Sequence, residues 1–381
     1  MRRTLAVLGN CFVVLLFVAR SAAVPAGPPD GEVGLLAEKP SGANSSNAGA
    51  DRGEHISGRE NRTVNGAIFP VSSRRTIQVP PDISRTHSAV ITSVSIHPDG
   101  TLVAAAGDDH VIRLWDLKKE TWVARLTGHQ DWIRAVQFSP DGKTLVSSGN
   151  DRHVIMWDVA TERAKRTLAV RDQAMNAITF SHSGRWVATA GFGGEICILD
   201  TTGEASRRFL ETDCRDIRTL AISDDDLYLA AGGRDGIIRL WNLETRQVTH
   251  QVNSHQQRIR AMTFAQDGTR IISGGEDGMV RIWNWKTDKQ SVELPRLPCK
   301  VMALVTCGRQ ILATAGSDNM VRLWNLATRE ELARMSEHTG SVVALDYRDG
   351  TLVSGGFDTS LRVWTVPTSL DEGIRSAHRP E

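Results

Sequence analysis

At 381 residues the chain is long enough for two or three average domains, a count that internal repeats would override. Its 45 Lys and Arg against 44 Asp and Glu leave a formal net charge of +1. Both signs are spread along the chain, which removes the electrostatic case for nucleic acid or an anionic membrane surface as partner.

Arg2 and Arg3 precede an apolar run over residues 5–19, interrupted by Gly9 and Asn10, and the run ends at the small residues Ser21, Ala22 and Ala23. A run of about 15 residues fits a secretory signal and is short for a membrane span, which needs roughly 20. The expectation is a signal peptide over residues 1–23, with Ala26 as the second cleavage choice. It predicts an exported protein (periplasmic, cell-surface or secreted) with no membrane insertion after cleavage. An uncleaved anchor and a misassigned start are the alternatives. Residues 24–74 are rich in Pro, Gly, Ala, Ser and Asn, and are expected to form a disordered tether. Two glycosylation sequons, at Asn44 and Asn61, fall inside it and matter only in a host that modifies them. Past the signal there are four cysteines, Cys197, Cys214, Cys299 and Cys307, without paired spacing. Cys299 and Cys307 flank one predicted strand and cannot bridge; a Cys197–Cys214 bond is allowed but not required, and free thiols are expected.

From about residue 75 to 378 the chain repeats. Trp-Asp or a variant recurs at Trp115, Trp157, Leu199, Trp241, Trp283, Trp324 and Trp364, in steps of 42, 42, 42, 42, 41 and 40 residues. A glycine stands eight residues before each: Gly107, Gly149, Gly191, Gly233, Gly275, Gly316 and Gly356. Within one unit, residues 133–138 alternate apolar and polar, Pro140-Asp141-Gly142 is a turn, and 144–148 and 154–157 are two strands about a tight turn. A fourth, more polar strand follows near 163–168, and no window has a helical period. Four short strands per unit, seven times over, make an all-β seven-bladed propeller of four-stranded antiparallel blades.

This period and signature resemble the WD-repeat family. The resemblance implies a buried chain of His, Ser or Thr, Asp and Trp in each blade. The slots are complete as His129, Ser147, Asp151 and Trp157; as His255, Ser273, Asp277 and Trp283; and as His338, Ser354, Asp358 and Trp364. Blade one keeps His87, Asp109 and Trp115 but has Ala105 in the hydroxyl slot; blade four keeps Asp235 and Trp241, and blade six Thr314, Asp318 and Trp324. Blade three departs most, with Arg171, Gly193 and Leu199, and is expected to be the least stable or turned to another use.

Ser, His and Asp together invite a hydrolase reading. The set recurs in blade after blade, its donors and acceptors are used among themselves, and no nucleophile elbow is present, so the tetrads read as structural and no catalytic residue is assigned. Arg113, Arg239, Arg281, Arg322 and Arg362, two residues before the repeat Trp, are expected to lie over it rather than form a basic stripe. Asp224-Asp225-Asp226 reads as a solvated turn rather than a cation site. The eleven histidines show no metal spacing, and no cofactor or metal is indicated.

Members of the resembling family bind peptides or domains on the rim that joins second to third strands and one blade to the next. The slot after the repeat glycine holds Asp108, Asn150, Phe192, Arg234, Glu276, Ser317 and Phe357; the slot three beyond the His position holds Val90, Trp132, Ala174, Asp216, Arg258, Lys300 and Ser341. Aromatics and arginines carry interface energy, so Trp132, Phe192, Arg234, Arg258 and Phe357, supported by Lys300, are the candidate partner-binding residues. The alternative is that the aromatics plug the channel or pack locally. The expected function is an exported scaffold for proteins or peptides, of undetermined oligomeric state. Its rivals are a propeller hydrolase or lyase acting at the channel mouth, hinted at only by Arg171 and Glu195, and an intracellular WD-repeat regulator. The seventh blade must take its outer strand from a chain end. Residues 76–79 are favoured over 370–375 for their β composition.

Overall fold

A computed structural model describes residues 63–64, 67–68, 71–79, 88–203, 207–287 and 289–368. The proposed signal peptide, most of the tether, His87 and the C-terminal strand candidate lie outside these residues. The described chain is all β: seven four-stranded antiparallel sheets, plus a two-residue pairing of Thr63–Val64 with Ala67–Ile68.

In the second blade the strands are Ile133–Phe138, Thr144–Gly149, His153–Asp158 and Arg163–Val170, in that spatial order from the channel outward. The innermost strands of the other blades are Ile91–Ile96, Met175–Phe180, Ile217–Ile222, Ile259–Phe264, Val301–Cys307 and Val342–Arg348. Second strands such as Leu102–Gly107 and Trp186–Gly191 are buried at nearly every position, because a neighbouring blade covers each face. Their small side chains, Ala104 and Ala106 or Ala188 and Ala190, set how closely the blades approach.

The core is a ring of interblade clusters. Each signature residue packs against the blade before it: Trp157 against Ile112 and Leu114, Trp241 against Ile196, Trp364 against Val321 and Leu323. Leu199 takes this place in blade three, where it packs with Val154 and Met156 and is 2% exposed. Blade three therefore keeps the apolar contact while lacking the polar chain.

The N-terminal segment closes the ring. Ser72–Gln78 pairs antiparallel with Ser360–Thr365, with Thr76 opposite Arg362 and Ile77 opposite Leu361. Ile77 and Val79 are each 3% exposed, and the Val79 amide donates to the Thr359 carbonyl at 3.1 Å. The strand begins at Ser72, so residues 72–74 are part of the sheet rather than of the tether.

Blade junctions are also stapled at the channel wall. The fifth residue of an innermost strand accepts the main-chain N–H of the next blade's innermost strand: Ser95 from Phe138 at 3.1 Å, Gln137 from Phe180 at 3.0 Å, and Asp346 from Ile96 at 2.6 Å. The last of these crosses the junction where the first and seventh blades meet.

Candidate functional site

The tetrads come together as side-chain chains. Trp157 Nε1 donates to Ser147 Oγ at 2.8 Å, Ser147 lies 2.7 Å from His129 Nε2, and His129 Nδ1 lies 2.7 Å from Asp151. In blade seven, Trp364, Ser354, His338 and Asp358 repeat this at 2.9, 2.7 and 2.8 Å. In blade five His255 meets Ser273 at 2.8 Å and Asp277 at 2.9 Å. Blade six retains the Trp324 to Thr314 bond at 2.9 Å. One proton assignment uses every donor once: indole to serine, serine to Nε2, Nδ1–H to carboxylate. Ser147, Ser273 and Ser354 are fully buried, so none faces a substrate. Burial alone would raise the pKa of Asp151; the His129 bond and charge and the Gln130 and His153 amides outweigh it and hold the carboxyl below its ordinary range.

The repeat arginines do not lie over the tryptophans. Each pairs with the aspartate four residues earlier: Arg113 with Asp109 at 2.5 Å, Arg239 with Asp235 at 2.6 Å, Arg281 with Asp277 at 3.0 Å, Arg322 with Asp318 at 2.5 Å, and Arg362 with Asp358 at 3.7 Å. A carboxylate fixed in the tight turn is a stronger partner for a guanidinium out of water than an indole face. The second and third blades have Ile155 and Cys197 in that slot. The Asp224-Asp225-Asp226 run is engaged by protein groups: Asp226 accepts the His182 and Ser183 amides of the blade before at 2.6 and 2.9 Å, Asp224 lies 3.3 Å from the His182 ring, and Asp225 accepts from the Ser223 hydroxyl at 2.5 Å.

The two rim slots face each other in every blade. The amide after the repeat glycine donates to the carbonyl of the other slot: Asn150 to Trp132, Phe192 to Ala174, Arg234 to Asp216, Glu276 to Arg258, Ser317 to Lys300, Phe357 to Ser341 and Asp108 to Val90, all within 2.9–3.3 Å. Glycine is required beside this bond. A Cβ on Gly149 would stand 2.5 Å from the Trp132 oxygen, and one on Gly191 1.9 Å from the Ala174 oxygen. Trp132, Phe192 and Phe357 are exposed at 42%, 42% and 53% on this rim. None of the three is buried in the channel or under a neighbouring loop.

Inside the rim lies a feature that the slot positions did not reveal. Each innermost strand carries a one-residue bulge after its first residue, at Thr92, Arg134, Asn176, Arg218, Arg260, Met302 and Val343. A bulged residue leaves the ladder and is re-aimed. Thr92 reaches the Ile133 carbonyl of the next blade at 2.5 Å. Arg134 stacks on Trp132 at 4.8 Å and Arg218 on Phe192 at 5.0 Å, so two of the rim aromatics are floors for guanidinium groups. Arg260 pairs with Glu276 at 2.6 Å and Arg258 with the same carboxylate at 2.9 Å; Arg258 and Arg218 share Asp216 at 3.2 and 2.6 Å; Lys300 stands 3.5 Å from Glu276. Arg134 donates to the neutral side chain of Asn150 at 2.8 Å. Arg134 is pulled below the usual guanidinium range by burial first and then by the charge of Arg218, with a smaller push from Arg260, against the opposing charge of Asp131. Burial also lowers Arg218, against the pull of Asp216. The signal was present in the sequence as the position two beyond the rim slot, arginine in three of seven repeats.

Arg171 and Glu195, the hint of chemistry in blade three, form an ion pair at 2.9 Å with Arg171 over Phe209. Cys197, Cys214, Cys299 and Cys307 are free. Among the described residues no group of three or more His, Cys, Asp or Glu is placed to hold a metal, and no helix is long and apolar enough to cross a membrane.

Among curated proteins, none matches the chain. The family described as WD domain, G-beta repeat, matches residues 329–365. The family described as IFT122 first beta-propeller matches residues 83–297, more than half of the sequence. With seven blades, the repeat glycine–Trp register and the His-Ser-Asp-Trp chains in view, the chain belongs to that family of WD-repeat β-propellers.

Proposed function

We propose that this protein is an exported, non-enzymatic scaffold that binds protein partners through the rim carrying the loops between second and third strands. One observation carries the reading: a single rim holds seven rigidly bonded slot pairs and exposes Trp132, Phe192 and Phe357 upon them. Exposed aromatics on a rigid frame lose little conformational entropy on binding and are the residue types that dominate interfaces. A non-enzymatic role is supported by the tetrad hydroxyls, which are buried and bonded on both sides. Export rests on the residues 1–23 pattern, and the tether would then set the propeller off from its point of attachment or release.

The test is affinity capture by the tagged full chain from its host's extracytoplasmic fraction. Trp132→Ala combined with Phe357→Ala should reduce capture of the main partner at least about tenfold, the usual scale of hot-spot loss. Lys143→Ala with Arg309→Ala, on the opposite rim, should leave it unchanged. Equal effects from the two rims would refute the assignment. The mature N-terminus should be Val24; an intact Met1 would refute export with cleavage.

A further inference from the structure

The inner edge of this rim has more cations than carboxylates to hold them. Arg218, Arg258, Arg260 and Lys300 share two carboxylates, Asp216 and Glu276. Arg134 has an amide and an aromatic face as its contacts, and Arg258 Nε has no hydrogen-bond partner although it is buried. Three of these cations sit on equivalent bulges of the second, fourth and fifth innermost strands, so the fold itself sets them around one mouth.

We propose that this mouth is a carboxylate-binding site, and that its occupant is an acidic segment of a protein partner, one of whose Asp or Glu side chains enters between Arg134, Arg218 and Arg260. The inference rests on the rim-binding function above and specifies its chemistry. Arginine suits the role because its planar fork binds a carboxylate with two parallel hydrogen bonds. Stacking on Trp132 and Phe192 holds the Arg134 and Arg218 forks in place before a ligand arrives, and bonds to Asp216 and Glu276 hold Arg218 a second time and Arg260. The upper channel beside Arg260 is a cavity of about 190 Å³ lined also by Thr92, Thr219 and Met302. Of the three arginines only Arg260 lines it, and its volume, below the roughly 300 Å³ at which ligand pockets usually begin, suits a side chain passing the arginines rather than a whole ligand. Apolar residues flanking the acid would rest on the exposed parts of Trp132 and Phe192.

A nucleic-acid backbone fits the surface less well. A phosphate chain needs a track of cations, whereas outward of the mouth the loops carry both signs, with Asp131, Asp172 and Asp213 among Arg215 and Arg234. The excess positive charge is confined to the mouth, which matches a short acidic segment rather than a long polyanion.

The experiment is fluorescence anisotropy on the full chain at low salt. The probes are a fluorescein-labelled hexaglutamate peptide, a hexalysine peptide and a single-stranded 12-mer oligonucleotide. Hexaglutamate should bind, hexalysine should not, and the oligonucleotide should bind more weakly than hexaglutamate. Arg134→Gln with Arg260→Gln should weaken hexaglutamate at least tenfold with an unchanged melting temperature, while Arg309→Gln on the opposite rim should not. If the double variant fails to fold, Arg134→Gln alone serves, because Arg134 anchors no carboxylate. No hexaglutamate binding, equal sensitivity to Arg309→Gln, or tighter oligonucleotide binding would each overturn the proposal. Partner capture separates this failure from that of the broader reading: capture lost with Trp132 and Phe357 but kept with the arginine variants sinks the carboxylate site alone.

Discussion

Removing the charge of Asp346 should stabilise the protein at neutral pH. Asp346 occupies the stapling position where blade seven meets blade one, accepting the Ile96 amide at 2.6 Å and its neighbour Tyr347's amide at 2.8 Å. It lines a cavity of about 600 Å³ at the channel end opposite the arginine mouth. Burial in the channel wall pushes its pKa up from 3.8 to about 6, against the two amides and Arg348, which pull it down. A folded pKa above the unfolded value means that the folded state holds the proton more tightly. Stability is then fully present below about pH 4 and falls as the pH rises through about 6. A rise of this size corresponds to about 3 kcal/mol of preference for the protonated form. Because Asp346 is only partly buried and lines the channel cavity, about 1–2 kcal/mol is the expected penalty at pH 7.5. Asp346→Ser keeps the staple, since Ser95 makes the same bond at the same register in blade one. The variant should melt about 2–4 °C higher than the parent at pH 7.5, with the gap narrowing as the pH falls below about 6 and closing by about pH 4 in a calorimetric series. A gap that stays constant over that range, or a variant that melts lower at pH 7.5, would show that the carboxylate is not strained by burial.

Other perturbations test the frame. Asp151→Ala leaves the His129 Nδ1–H and the Gln130 and His153 amides without their acceptor, and should cost about 1–3 kcal/mol by chemical denaturation with partner capture intact; loss of a hydrolytic activity at unchanged stability would instead expose a catalytic role. Deleting residues 1–79 removes the outer strand of blade seven and uncovers Ile77 and Val79 contacts, so it should cost about 4 kcal/mol or more and clearly more than deleting 369–381; the reverse order in thermal melts would place the latch at the other end. Gly149→Ala drives a methyl group into the Trp132 carbonyl and should cost about 1–3 kcal/mol while weakening rim binding, and unchanged melting would show that the slot pair is soft.

Blade number, strand pairs and tetrads were legible because each follows from a fixed offset repeated along the chain, and a register that recurs seven times averages out local exceptions such as Leu199. The N-terminal latch was legible from composition, since 76–79 reads as a strand; its start at Ser72 was not, because Ser72, Ser73 and Arg74 have no strand preference and are ordered by pairing with Thr365 and Trp364. The repeat arginines were misplaced for a geometric reason. Sequence puts Arg and Trp on one face of a strand, but the tight turn brings back the aspartate four residues earlier, closer and oppositely charged. The mouth arginines were missed for a related one. Their recurrence two beyond the rim slot was readable, but strict alternation would assign Arg134, Arg218 and Arg260 to a face of the sheet, and the bulge that turns them to the channel is a backbone event that this recurrence does not announce. Arg258 was singled out for its slot, yet its partner Glu276 comes from the facing slot of the same blade and Asp216 from the blade before. A rim site of this kind is thus composed across blades. Reading one repeat at a time shows which residue occupies a slot, and only the closed ring shows which slots share a charge.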